Sequence, residues 1–211
     1  MGLKAVAQTQ TQTQQTDANF NTTYGTPSLN PSTTGTYNTA SGYKALYANT
    51  TGSSNTGIGV SALVANTTGS SNTGIGVNAG SYLANGSTEN NASTNSVFIG
   101  YESRAYLSGQ TNEIVIGHQA IGAGGNSVTL GNTGITKTVL QGSVGLGTTN
   151  PNAYAILDVT STSKAFVLPR MTTAQKLAGI VTPVQGMLVY DTTLGKLSVY
   201  AGAGWETVTS V

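Results

Sequence analysis

The chain has 211 residues, only 7% of them charged, with eight Lys or Arg against seven Asp or Glu and a formal net charge of +1; a typical soluble domain carries about 25% charged residues. It has no basic field to hold nucleic acid and no apolar run near the ~18 residues that cross a bilayer. It has no cysteine for a disulfide scaffold or a thiolate metal site.

The N-terminal segment, residues 1–33, is a polar arm. MGLKAVAQTQ turns polar by Gln8, too early for a secretory signal, so a role outside the cell requires release by particle assembly or lysis. QTQTQTQQT is a low-complexity tract that cannot bury a core of its own. It is expected to be held by other chains and to serve as the attachment point.

Residues 34–149 form a repeat array. ANTTGSSNTGIGV occurs twice without change, at Ala48–Val60 and Ala65–Val77. Anchored on Asn, the units start at Asn38, Asn55, Asn72, Asn95, Asn112 and Asn126, at spacings of 17, 17, 23, 17 and 14. Catalysis gains nothing from verbatim copies, whereas a stacked scaffold packs each copy on the last. Each unit reads as strand, tight turn, strand, turn, one coil of a β-solenoid. Ile58, Val60, Ile75, Val77, Val97, Ile99, Ile114, Ile116, Val128 and Leu130 are its expected repeat core.

A coil of 14–17 residues encloses two or three apolar side chains, worth about 1.5–3 kcal/mol each. Ordering it costs roughly 1–2 kcal/mol per residue. A lone stack is too thin, so several copies are expected to bury the Ile/Val/Leu edge against one another, with threefold association the simplest arrangement.

Residues 150–182 connect the array to the tail. Pro151 breaks the period, AILDV and KAFVL read as strands, and MTTAQKLAGI reads as a short helix. Thr172 or Thr173 is its N-cap, and Gly179 stands near its C-terminus. Residues 183–211 read as a β-meander with strands MLVYD, KLSVY and WETVTSV. Leu188, Tyr190, Leu197, Val199 and Trp205 are its expected trimerising residues.

Candidate chemistry is sparse. Hydrolysis of a glycan needs two carboxylates about 5–10 Å apart, and Glu102 and Glu113 are the pair placed to approach. They are expected to be solvated beside Arg104, with no catalytic role. His118 on a trimer axis is a possible metal ligand, but a single His after a strand is expected to face solvent, so no metal and no cofactor is expected. GSVGLG and GAGG open no helix, which excludes a nucleotide site. Tyr37, Tyr43, Tyr47, Tyr82, Tyr101 and Tyr106 lie in or beside the repeats. Their amphipathic rings suit glycan or protein contacts, or cover for the solenoid edge.

The units NSVFIG, NEIVIG and NSVTLG, with GYESRA at Gly100–Ala105, resemble the head repeat of trimeric autotransporter adhesins. That resemblance implies a trimer of left-handed parallel β-rolls. The tail, with Pro183, Gly186, a strand through Tyr190 and Gly204-Trp205-Glu206, resembles the trimerising cap of fibritin and the ends of phage fibres. Together they imply an all-β homotrimeric phage fibre, a virion component that attaches to a host surface glycan or protein without membrane insertion. The alternatives are a capsid-decorating or filament-forming protein, a bacterial surface adhesin, and a glycan-cleaving tailspike.

Overall fold

The computed structural model describes residues 15–209; most of the QTQ tract lies outside them. The chain divides into two units, Met1–Thr138 and Val139–Val211. The fold is nearly all β.

The first unit is a β-solenoid. Strands β1 (Gln15–Thr16), β2 (Thr22–Tyr24), β3 (Thr39–Ser41), β4 (Thr56–Ile58), β5 (Thr73–Ile75), β6 (Val97–Ile99), β7 (Glu113–Ile116) and β8 (Ser127–Leu130) form one sheet in chain order. From β2 onward every pairing is parallel, whereas β1 runs antiparallel onto β2. The sheet therefore starts inside the segment that the sequence assigns to the arm.

The register corrects one spacing. Thr39 pairs with Thr56, Thr56 with Thr73, Thr73 with Val97, Val97 with Ile114 and Ile114 with Val128. The long step is 24 residues, not 23, because the residue that continues Asn72 is Ser96, whose N–H donates to Asn72 Oδ1 at 3.1 Å. Asn95, Asn112 and Asn126 instead take the left-handed position before it, which Ser54 and Ser71 hold in the exact copies.

Only one strand forms per coil where two were expected. Beyond the glycine that ends each strand, the chain turns through left-handed residues such as Lys44 and Leu46, then Ser61 and Leu63, at φ 51–57°. A pleat cannot run through such alternation. The backbone still bonds coil to coil, Leu46 N–H to Ala62 C=O and Leu63 N–H to Ala79 C=O, each at 3.0 Å.

The interior is narrow and largely polar. Ala40, Gly57, Gly74, Phe98 and Val115 point inward from the strands, and Leu29, Leu46 and Leu63 point in from the corners. Large and small residues alternate. A Cβ on Gly74 would stand 2.7 Å from Leu63 Cγ, and one on Gly80 would stand 2.6 Å from the Phe98 ring.

Two ladders of buried asparagine fill the rest. In one, Asn55 N–H donates to Asn38 Oδ1 and Asn72 N–H to Asn55 Oδ1, both at 2.9 Å, while Asn55 Nδ2 donates to Gly69 C=O at 2.8 Å. In the other, Asn66 Nδ2 donates to Asn49 Oδ1 at 3.0 Å and to Gly69 C=O at 2.9 Å. Gly52 and Gly69 must lack side chains there, because a Cβ would collide with the carbonyl oxygen of the next coil.

The aliphatic positions expected as repeat core are therefore outside it. Strand residues alternate, and Ile58, Ile75, Val97, Ile99, Ile114, Ile116, Val128 and Leu130 stand on the outer sheet face. Val60 and Val77 follow the strands and are also exposed. A seventeen-residue loop has room for few apolar side chains beside its asparagines, chiefly one from the strand and one from the corner.

In the second unit, β9 (Val144–Leu146) pairs in parallel with β10 (Leu157–Val159). A separate sheet has the order β11 (Arg170–Met171), β12 (Leu188–Asp191), β13 (Lys196–Tyr200), β14 (Trp205–Thr207). The meander forms as expected. KAFVL forms no strand, and its Phe166 and Val167 are exposed. Helix α1 (Thr173–Gly179) is capped by Thr172, in a capping box with Gln175.

Removing an inner asparagine should cost more than removing an outer hydroxyl. Asn55→Ala strands the Asn72 N–H in the interior and should lower the unfolding free energy by about 2 kcal/mol. Thr51→Ala, at an exposed turn position, should change it by less than ~0.5 kcal/mol. Denaturant melts of the two variants test the difference.

Candidate functional site

The most distinctive surface of the solenoid is the outer face of its sheet. One row reads Thr22, Thr39, Thr56, Thr73, Val97, Ile114, Val128, and the row beside it reads Tyr24, Ser41, Ile58, Ile75, Ile99, Ile116, Leu130. A third row carries Tyr43, Val60, Val77, Tyr101 and His118, joined coil to coil by backbone bonds from the residue after each. The surface passes from hydroxyl-rich to aliphatic toward β8, where Val128 is 63% and Leu130 58% exposed. Ten aliphatic side chains that the sequence marks as important thus share one side of the coil; Ile58, Val60, Ile75, Val77, Ile116, Val128 and Leu130 are exposed, and Val97, Ile99 and Ile114 are half-buried.

The carboxylates do not form a catalytic pair. Glu102 lies at the surface, where it accepts from Arg104 Nη2 at 2.8 Å and from Gln119 Nε2 at 3.1 Å. Those bonds, Gln119 foremost, hold its carboxyl below the usual range. Its hydrogen bond with Tyr101 raises that phenol. Glu113, expected to be solvated, is fully buried. It takes the place of an asparagine in the ladder and accepts from the backbone N–H groups of Gly124 at 2.9 Å and Tyr106 at 3.3 Å. A carboxylate closed off in this way cannot flank a sugar in a cleft.

His118 is exposed and stacks on Tyr101, ring centroids 5.3 Å apart. Among the described residues no three His, Cys, Asp or Glu side chains of one chain gather as metal ligands. Tyr37 stacks on Phe20 at 5.4 Å, and Tyr43, Tyr47 and Tyr106 are exposed. Tyr82 opens an insertion that runs to Glu89, with which it forms an antiparallel bridge.

The tail sheet has two unlike faces. Residues paired across neighbouring strands share a face, so Leu188, Tyr190, Leu197 and Val199 stand together, on the side away from α1. Trp205 does not join them. It pairs with Tyr200 on the helix side, 5.1 Å from Lys176 Nζ. There the sequence reading missed a buried polar knot. Lys176 Nζ lies 2.8 Å from Asp191 Oδ2 and donates to Ser198 Oγ at 3.1 Å. Asp191 also accepts from Thr173 Oγ1 at 2.8 Å and from the backbone N–H groups of Thr193 and Leu194. The turn DTTLG, with an Asp placed to cap its own backbone, was the available signal.

That knot is the main fixed contact between helix and meander, since Val189 is the only buried apolar side chain described in residues 139–209. One buried aliphatic residue is too small an apolar core for a segment of this length. The Lys176 bond holds the Asp191 carboxyl at about 2, below its ordinary 3.8. A depressed carboxylate stabilises the fold above its unfolded value and ceases to as the pH falls through the folded one. Trp205 emission should therefore report loosening between about pH 4 and pH 2, and Asp191→Asn should flatten that dependence.

Residues 145–211 match the family model described as a phage tail like trimerisation region. No curated protein and no solved structure matches the chain. A phage tail-like trimerisation region following a β-solenoid fits a phage fibre-like structural protein.

Proposed function

We propose that this chain is a homotrimeric structural fibre protein of a phage tail or related virion appendage, which acts by attachment and not by catalysis. The observation that carries the proposal is a coincidence of place. Among its described residues, the segment that matches a trimerisation region buries a single aliphatic side chain, leaves Leu188 and Tyr190 exposed and only half covers Leu197 and Val199. The solenoid has the same need along its outer sheet face, and three copies of each surface supply the missing cover.

In this reading residues 1–14 belong to an arm that holds the particle, and the solenoid is a rigid shaft or head presented to the host. The exposed tyrosines are the residues suited to a surface glycan or protein. Filament formation by continuing the parallel sheet is opposed at its first edge. There β1 reverses direction, and Asp17 ends the asparagine ladder by accepting from Asn21 N–H and Nδ2 at 2.9 and 3.0 Å. The Asn21 bond lowers the Asp17 carboxyl and keeps it charged, and a charged, reversed edge discourages another strand.

Native mass measurement should give a particle near three times 21.3 kDa. Leu188→Asp should shift it toward monomer, because an unpaired charge on a buried apolar face is strongly unfavourable. A monomeric wild-type protein at micromolar concentration contradicts the proposal.

A further inference from the structure

The open face of the tail sheet carries opposite charges at its two edges. Arg170 on β11 pairs with Tyr190, which pairs with Leu197; Leu188 pairs with Val199, which pairs with Glu206 on β14. Because paired residues share a face, Arg170 and Glu206 stand on the same side as the four apolar residues and border them left and right. Both are exposed. The ion pairs among the described residues are Arg104–Glu102 and Lys176–Asp191, and neither edge residue takes part. Three strand spacings, about 14 Å, separate them within one chain.

We infer that Arg170 of one copy pairs with Glu206 of the next around the trimer, so that three such bridges close a ring at the rim of the apolar interface. The occupant of this face is a second copy of the chain, and the inference rests on the trimeric reading above. A positive edge and a negative edge on one surface are the marks of a head-to-tail contact, which closes into a ring when the rotation allows. The two residues differ by two positions along the strands, about 7 Å, which a long guanidinium arm can cover. Like charges at either edge would instead have set neighbouring copies against each other.

The test uses full-length R170E, E206R and the double exchange R170E/E206R, with trimer dissociation followed at low and high salt. Each single reversal sets like charges together at all three contacts. It should speed dissociation about tenfold at low salt and less at high salt. The double exchange restores opposite charges and should return to within about twofold of wild type. Co-expression of the two single variants, marked by different tags, should yield mixed trimers, because two of three contacts are then favourable. Homotrimers should fall well below the about one quarter expected of random assembly from symmetric rings. Wild type that remains trimeric while the reversals change nothing, or while homotrimers stay at the random share, overturns the ion pair and leaves the trimer standing. Wild type that is not trimeric overturns both.

Discussion

The width of the coil governs the rest of the molecule. A loop of seventeen residues encloses few side chains, and the backbone groups at its corners need partners inside that same space. Asparagine meets the need because one amide can donate to its own coil and accept from the next, as Asn55 does with Gly69 and Asn72. Once Asn38, Asn49, Asn55, Asn66 and Asn72 occupy the interior, little room remains for aliphatic residues, and those on the strands are turned outward.

The exact thirteen-residue copy follows from this stacking. Each position in one copy touches its own counterpart in the other: Asn49 meets Asn66, Gly52 lies under Gly69, and Gly59 under Gly76, where a Cβ would stand 2.7 Å from the Gly76 oxygen. A change in one copy thus disturbs the same position in its neighbour. Where the copies end, the interior changes character together. Phe98 and Val115 enlarge the strand side while Gly80 replaces leucine at the corner, and Glu113 takes over a ladder position with a longer reach.

The solenoid architecture, the meander, the helix and its capping threonine were legible in the sequence, because repeats, turn residues and caps are local signals. The side of the strand facing inward was not. In NTGIG the inward residue is glycine and the isoleucine is outside, so hydrophobicity alone points the wrong way. The anchor at Asn95 misled for a related reason. Asparagine suits both the buried ladder and a left-handed turn, and only the pairing of Thr73 with Val97 separates the two. Trp205 was misplaced because a strand pattern gives the alternation of faces but not which face a helix covers. The Lys176–Asp191 knot joins residues fifteen apart across a helix and a turn, so DTTLG marks the turn but not the lysine that reaches it.

In the proposed trimer the outward aliphatic rows are interfaces between copies. The chain has no cysteine, so a single introduced thiol reports its own surroundings. Ile116→Cys should react with a thiol reagent far more slowly in the native protein than Thr51→Cys, and both should react fast after unfolding. Equal native rates at the two positions would show the aliphatic face open to water and would contradict the account.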